Sequence, residues 1–493
     1  MRWKPWLCAT FFLAGAVFAA AQSPDPATTF SVSPETREAI RQLVGDSILN
    51  GKAYEYEGHL ADWIGPRLTG SSNYMSAVEW AVQQFKELGL SVRTEDWTIP
   101  ATWEPDGPAT GQIEQPIMHQ LHIYSLGWSP STPARGVQGE VAFVPSFLPD
   151  ALSAQKSQLA GKIALVDPSS FGEKATFHQI LAGFEQLHSC SPAAIVTTGI
   201  ANGGESLTAI SLGGRISSIP NAQIGREDSE LIKRLLEHGP VTIHFTFTNK
   251  IRMGVKIPNV IAEIPGSEFP GEVVLLGAHL DSWQPGTGAQ DDGTGVASLL
   301  EVARAIQALH RAPRRTIRFV LFGGEEEGLL GSAAYAREHV AELPKIDAVL
   351  VTDSGSEPAK GWYLMGREDE KGPLAALKPL LGGLGADGAT SDNSFIFQSD
   401  HAPFDMLGVP SLVLWNEMNK YFSLHHKASD TFDSVVQKDL AQGAAVIAVT
   451  AYAIADSKGP FAPHLSPDGV QSMLNQAGQV EGHNYLKAAG LLP

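Results

Sequence analysis

From Ile257 onward the chain alternates short apolar runs with segments of helical period, and this constrains its fold more than any other feature. Residues 273–276, 317–322, 348–352 and 412–415 are strands by their apolar, β-branched content. Between them, residues 293–309 put Val296, Leu299, Leu300, Ala303, Ile306 and Leu309 on one helical face, and residues 329–340 and 433–455 read the same way. The expected class is α/β: a mostly parallel central sheet covered by helices on both faces. Sites in such folds gather beyond the carboxyl ends of the strands.

A chain of 493 residues exceeds what one core sustains, so a second, smaller unit is expected. Order starts at Ser33-Pro34-Glu35, a capping Ser with Pro in the first turn, followed by Ile40, Leu43 and Ile48. A second helix over residues 72–88 carries Ala77, Trp80, Ala81 and Phe85 and stops at Gly89. The texture then changes to short β-rich runs broken by Gly and Pro, at 139–144, 161–166 and 193–197. The expected organisation is a main domain in two parts, 33–128 and 251–457, with a small β-rich domain inserted at 129–250. Residues 458–493 form a C-terminal tail whose Gly and Pro content predicts little.

Residues 1–21 have the pattern of a signal peptide: Arg2 and Lys4, an uncharged apolar stretch, then Phe18-Ala19-Ala20-Ala21. Residues 22–32 are a flexible leader. Removal of the peptide takes Cys8 with it and leaves Cys190 unable to form an internal disulfide. No other stretch approaches a membrane span, so the mature chain is expected to be exported, periplasmic or extracellular, without a membrane anchor. The net charge of −18 and the lack of a long basic run exclude nucleic acid as a partner.

Five short segments carry acidic or imidazole groups: His279-Leu280-Asp281, Asp291-Asp292-Gly293, Glu325-Glu326-Glu327, Asp353 and His425-His426. Singly each has an ordinary explanation. Asp-Asp-Gly is first of all a helix start, a Glu triplet is a solvated face, and Asp before Ser-Gly-Ser is a turn residue. Jointly they differ, because parallel strands bring His279, Glu325, Glu326 and Asp353 to one sheet edge, where cations must separate the charges. Two imidazoles and three carboxylates suit a pair of zinc-like ions, and one of two adjacent glutamates is left to act as general base.

Gly277-Ala278-His279-Leu280-Asp281-Ser282, Asp291-Asp292-Gly293-Thr294-Gly295, Gly324-Glu325-Glu326-Glu327-Gly328 and His426-Lys427-Ala428-Ser429-Asp430-Thr431 resemble the metal segments of the co-catalytic zinc exopeptidases, the family of secreted aminopeptidases and glutamate carboxypeptidases. The resemblance covers roughly residues 35 to 457, and the inserted segment is similar to the protease-associated domain of such enzymes. It implies two Zn2+ per chain bridged by Asp291, with His279 and Asp353 on one ion and Glu326 and His426 on the other. Glu325 is then the general base. Asp281 accepts from His279 and fixes its tautomer, and His425 stands where the family's oxyanion-donating Tyr is usual. The implied substrate is a dipeptide or short peptide with free termini, and the implied assembly is a homodimer. Of the related alternatives, glutaminyl cyclases use one zinc, and receptor-like relatives use none.

Overall fold

The computed structural model describes residues 30–167, 170–171, 177–199 and 213–493. The expected signal peptide and all but the end of the leader lie outside the described residues.

An eight-stranded sheet runs in the order Ser91–Pro105, Asn249–Ile264, Arg315–Phe322, Phe269–His279, Ile346–Val351, Ser411–Asn416, Ala359–Tyr363, Gly388–Thr390. The four central strands pair in parallel and antiparallel strands flank them. Alternation along the central strands explains why both faces are covered. Val274, Leu276 and Ala278 enter one apolar core, while Val273 and Leu275 enter the other. The first core packs against helices Pro34–Asn50, Thr294–Ala308 and Gln437–Ala455. The second packs against Leu330–Glu338 and the C-terminal helices Pro467–Ala477 and Val480–Ala488.

The helix starts follow the local signals. Ser33 Oγ accepts from Thr36 N and Ser71 Oγ from Tyr74 N. The tail is more ordered than its Gly and Pro content suggests. Ser466 caps the Pro467–Ala477 helix through Gly469 N, and Leu474, Leu486, Leu491 and Leu492 seal the second core.

A second eight-stranded sheet takes in residues 110 to 246. It starts upstream of residue 129 because Thr110–Gln115 pairs with Thr242–Thr246 and Ile123–Ser125 pairs with Asn221–Ile224. Short polar strands of this kind are recruited by their partners' registers, which local composition does not reveal. The sheet is spliced into an antiparallel ribbon in which Ser91 faces Glu263 and Pro105 faces Asn249. Among the described residues, no helix is long and apolar enough to cross a membrane.

Candidate functional site

The parallel register sets the site. His279 is the last residue of its strand and stands opposite Phe322, the last of the next, while Gly277 faces Val351 on the other side. The chain therefore leaves three neighbouring strands at one edge, carrying His279, the Glu325–Glu327 loop and Asp353. The loop turns at Gly324 (φ +74°), where a Cβ would sit 2.6 Å from the Trp97 ring, so only glycine fits. Asp291 precedes the Thr294–Ala308 helix, and His425 and His426 follow the short Tyr421–Leu424 helix. His426 holds φ +58°, a strained value for a non-glycine residue.

Asp291 stands between the imidazoles. Its Oδ1 is 3.1 Å from His279 Nε2, and its Oδ2 is 3.2 Å from His426 Nε2 and 3.3 Å from His425 Nε2. Asp353 Oδ1 lies 3.6 Å from His279 Nε2, and Glu326 Oε2 lies 3.0 Å from His426 Nε2. One ligand atom each from His279, Asp291 and Glu326 fall within 4.8 Å of one another, as do those of Asp291, His425 and His426. Asp291 Oδ2 and Glu326 Oε1 are buried without a hydrogen-bond donor. Unpaired buried carboxylate oxygens beside imidazole nitrogens are the donor set that zinc takes, and the residues fit a metal site on that ground.

Electrostatics point the same way. Burial pushes the Glu325 carboxyl well above the usual range, with Asp353 and Glu326 adding to the effect. Burial and the Asp291 charge push Glu326 up to about 7. Burial works against a proton on His426, yet Glu326 and Asp291 hold its pKa at about 10. Burial and the adjacent His426, whose ring stacks 3.6 Å away, bring His425 down to about 4. So many buried carboxylates coexist only beside compensating positive charge.

The side chains expected to act together all converge here. Asp281 is adjacent, but His279 Nδ1 approaches the Asp281 backbone carbonyl (3.0 Å), whereas its carboxylate Oδ1 is 3.8 Å away. The Asp281 carboxylate instead accepts from Thr69 Oγ1 and from Glu326 N, tying the glutamate loop to the first part of the chain.

Asp292 acts as a helix start should: its Oδ1 accepts from Gly295 N, and its Oδ2 from His279 N. Two further residues escape sequence reasoning. Asp430 accepts from Gln290 N (2.7 Å) and Asp291 N (3.2 Å), fixing the backbone under Asp291. Arg67, fully buried, donates to Leu280 O, Thr287 O and Gly288 O, at 2.8, 2.6 and 2.9 Å, and so clamps both ends of the segment joining His279 to Asp291. Asp430 had a signal in its fixed place after His426; Arg67 had none.

A cavity of about 500 Å3 opens on this cluster, with Asp291, Glu325, Glu326, Asp353, His425 and His426 on its lining.

The chain is similar to known proteins over most of its length. The model of Peptidase family M28 matches residues 259–451. Carboxypeptidase Q of Mus musculus is 32% identical over 434 residues, covering 86% of this chain and 89% of that protein. Aminopeptidase YwaD of Bacillus subtilis is 26% identical, covering 83% and 86%. A solved Peptidase M28 precursor from Shewanella amazonensis superposes with a TM-score of 0.74 at 31% identity, covering 88% of this chain and 99% of that one. The zinc aminopeptidase BSAP of Bacillus subtilis shares the fold, with a TM-score of 0.64 at 22% identity over 81% of this chain and 93% of its own.

Proposed function

Because the chain belongs to peptidase family M28 and is a metallopeptidase, we propose that it is an exported exopeptidase that uses two zinc ions to hydrolyse dipeptides or short peptides with free termini. The observation that carries this reading is Asp291, whose two carboxylate oxygens face His279 on one side and His426 on the other. His279 and Asp353 would hold one ion, Glu326 and His426 the other, with Asp291 shared. His426 is preferred to His425 because it alone also meets Glu326, at 3.0 Å. The second sheet is read as a protease-associated unit.

The chemistry the ions supply when bound is Lewis acidity, which polarises a peptide carbonyl and acidifies water. The chain's own residues do the rest. Glu325, buried and with a raised proton affinity, takes one proton from the attacking water as its oxygen bonds to the carbonyl carbon. It returns that proton to the nitrogen as the C–N bond breaks, and water's other proton passes from the new carboxyl to the freed amine, so an ammonium and a carboxylate leave. His425 is neutral at pH 7 and lines the cavity, where its ring can donate to the developing oxyanion. Asp430, Asp281 and Arg67 hold the backbone on which these groups stand.

The test is cleavage of an unblocked dipeptide, its N-acetyl form and its C-amide form by the purified chain, before and after chelation. Metal content is measured in parallel. About two zinc per chain and chelator-sensitive cleavage lost in Glu325→Gln are expected, and the blocked form that fails identifies the terminus read. The relatives' names point to opposite termini, carboxypeptidase and aminopeptidase, so this pair of substrates separates them. About one zinc with cyclisation of an N-terminal Gln, or no metal and no cleavage, would overturn the reading.

A further inference from the structure

The cavity over the clustered carboxylates is closed by parts of the chain that lie outside the family match at 259–451. On one side stand Leu486, Leu491 and Leu492 of the C-terminal segment. Leu181 and Phe184 of the Phe177–Ser189 helix, which belongs to the second sheet's unit, line the cavity as well. The two segments touch: the Val480–Ala488 helix packs on Phe177–Ser189, and Tyr485 Oη donates to Glu185 Oε1. A third tie runs to the catalytic loop itself. Gly213 N, from the inserted unit, donates to Glu327 O at 2.7 Å, and Leu491 lies against Gly213. The result is a cavity with a charged floor and mostly apolar walls, interrupted by Thr197, Thr198, Gln223 and Gln398, about 500 Å3 in volume, within the range for sites that hold small molecules.

We infer that the C-terminal segment and the inserted helix together form the specificity wall of the site, selecting a short peptide with a bulky, uncharged apolar side chain and rejecting charged ones. The inference rests on the peptidase reading of the same site and adds the substrate class and the residues that choose it. A mostly apolar wall gains by burying a leucine or phenylalanine side chain, and the neutral Thr197, Thr198 and Gln223 beside it offer a charged one no countercharge in exchange for its water.

The test uses the zinc-loaded full chain and the homodipeptides Leu-Leu, Gly-Gly, Glu-Glu and Lys-Lys, so that the answer does not depend on which residue occupies the wall. Wild type is expected to prefer Leu-Leu over Gly-Gly by at least about 10-fold in kcat/KM and over Glu-Glu or Lys-Lys by about 100-fold. Leu492→Ala should cut the Leu-Leu over Gly-Gly ratio by roughly 10-fold, mainly through KM, and Leu492→Lys should raise Glu-Glu relative to Leu-Leu. Leu181→Ala, on the inserted helix, repeats the test away from the core that the tail seals. Equal use of all four dipeptides, or ratios unchanged in both alanine variants, would overturn the inference while leaving the peptidase intact. Calorimetric binding of leucine and glycine separates the other failure. If no dipeptide is cleaved but leucine binding weakens in Leu492→Ala, the wall stands and the peptidase reading falls. If leucine does not bind either, both fall.

Discussion

Replacing Arg67 by Met removes the guanidinium that donates to the carbonyls of Leu280, Thr287 and Gly288, the last of which keeps a second donor in Gly293 N. A hydrogen bond from a charged group contributes about 1.5–3 kcal/mol, and carbonyls left unsatisfied in the interior cost a similar amount each. These contributions do not sum independently, because the segment can relax once one of them is lost. Breaking a buried charged network by removing one partner typically costs about 3–5 kcal/mol, which is the expected loss here. The segment so released joins His279 to Asp291, so the same change should weaken zinc binding about 10- to 100-fold, as loss of residues that orient metal ligands does elsewhere. Urea unfolding of the chelated protein reads the first quantity, and competition for zinc against a chromophoric chelator reads the second. A loss under about 1 kcal/mol with unchanged zinc affinity would show that the carbonyls find other donors and that Arg67 does not organise the site.

Glu325→Gln should lower kcat by about 100- to 10,000-fold with zinc content unchanged, measured by dipeptide hydrolysis and metal analysis of the same sample. Chelation should lower the melting temperature as well as abolish activity, since ligands that bind only the folded chain stabilise it, and added zinc should restore both. Asp347, buried beside Arg315, has its carboxyl pushed up to about 6 by burial. A folded-state pKa above the unfolded one means that its protonated form favours the fold, so stability is fully present below about pH 4 and lost as pH rises to about 6. Asp347→Asn should therefore remove a roughly 3 kcal/mol fall across that window, read as the difference between the two proteins in urea unfolding at pH 4 and pH 7. Identical pH dependence would refute it.

What could be read from the sequence was what local pattern encodes. Val296, Leu299, Leu300, Ala303 and Ile306 are buried on the Thr294–Ala308 helix as their spacing led one to expect, but Leu309 caps the helix half-buried and the other faces are buried too, at Ala297, Ser298, Glu301 and Val302. His279, Glu325, Glu326 and Asp353 converge because each ends or closely follows a parallel strand, and the alternation of strands and helices is enough to expect those ends at one edge. Arg67 was invisible because its partners are more than two hundred residues away and are carbonyls, which every residue possesses. The upstream edge of the second sheet was missed for a related reason: the pairing of Thr110–Gln115 depends on Thr242–Thr246, not on its own composition. In the tail, Ser466 and Pro467 did signal a helix start, but the surrounding Gly and Pro obscured it.

The ribbon formed by Ser91–Pro105 and Asn249–Ile264 works as a two-rail stem. The intervening unit leaves the main sheet at Pro105 and returns beside it at Asn249. With its ends already held together, lengthening the unit adds little strain to the rest of the molecule, since each doubling of a closed loop costs only about 0.6 kcal/mol. The inserted unit can thus change in length at little cost to the main sheet, except where it touches the sheet edge that bears the carboxylates and imidazoles, as Gly213 N does at Glu327 O. Of the proposed wall only the Phe177–Ser189 helix rides on this graft, while Leu486, Leu491 and Leu492 belong to the second core, so a change in the graft also reaches the glutamate loop through that hydrogen bond.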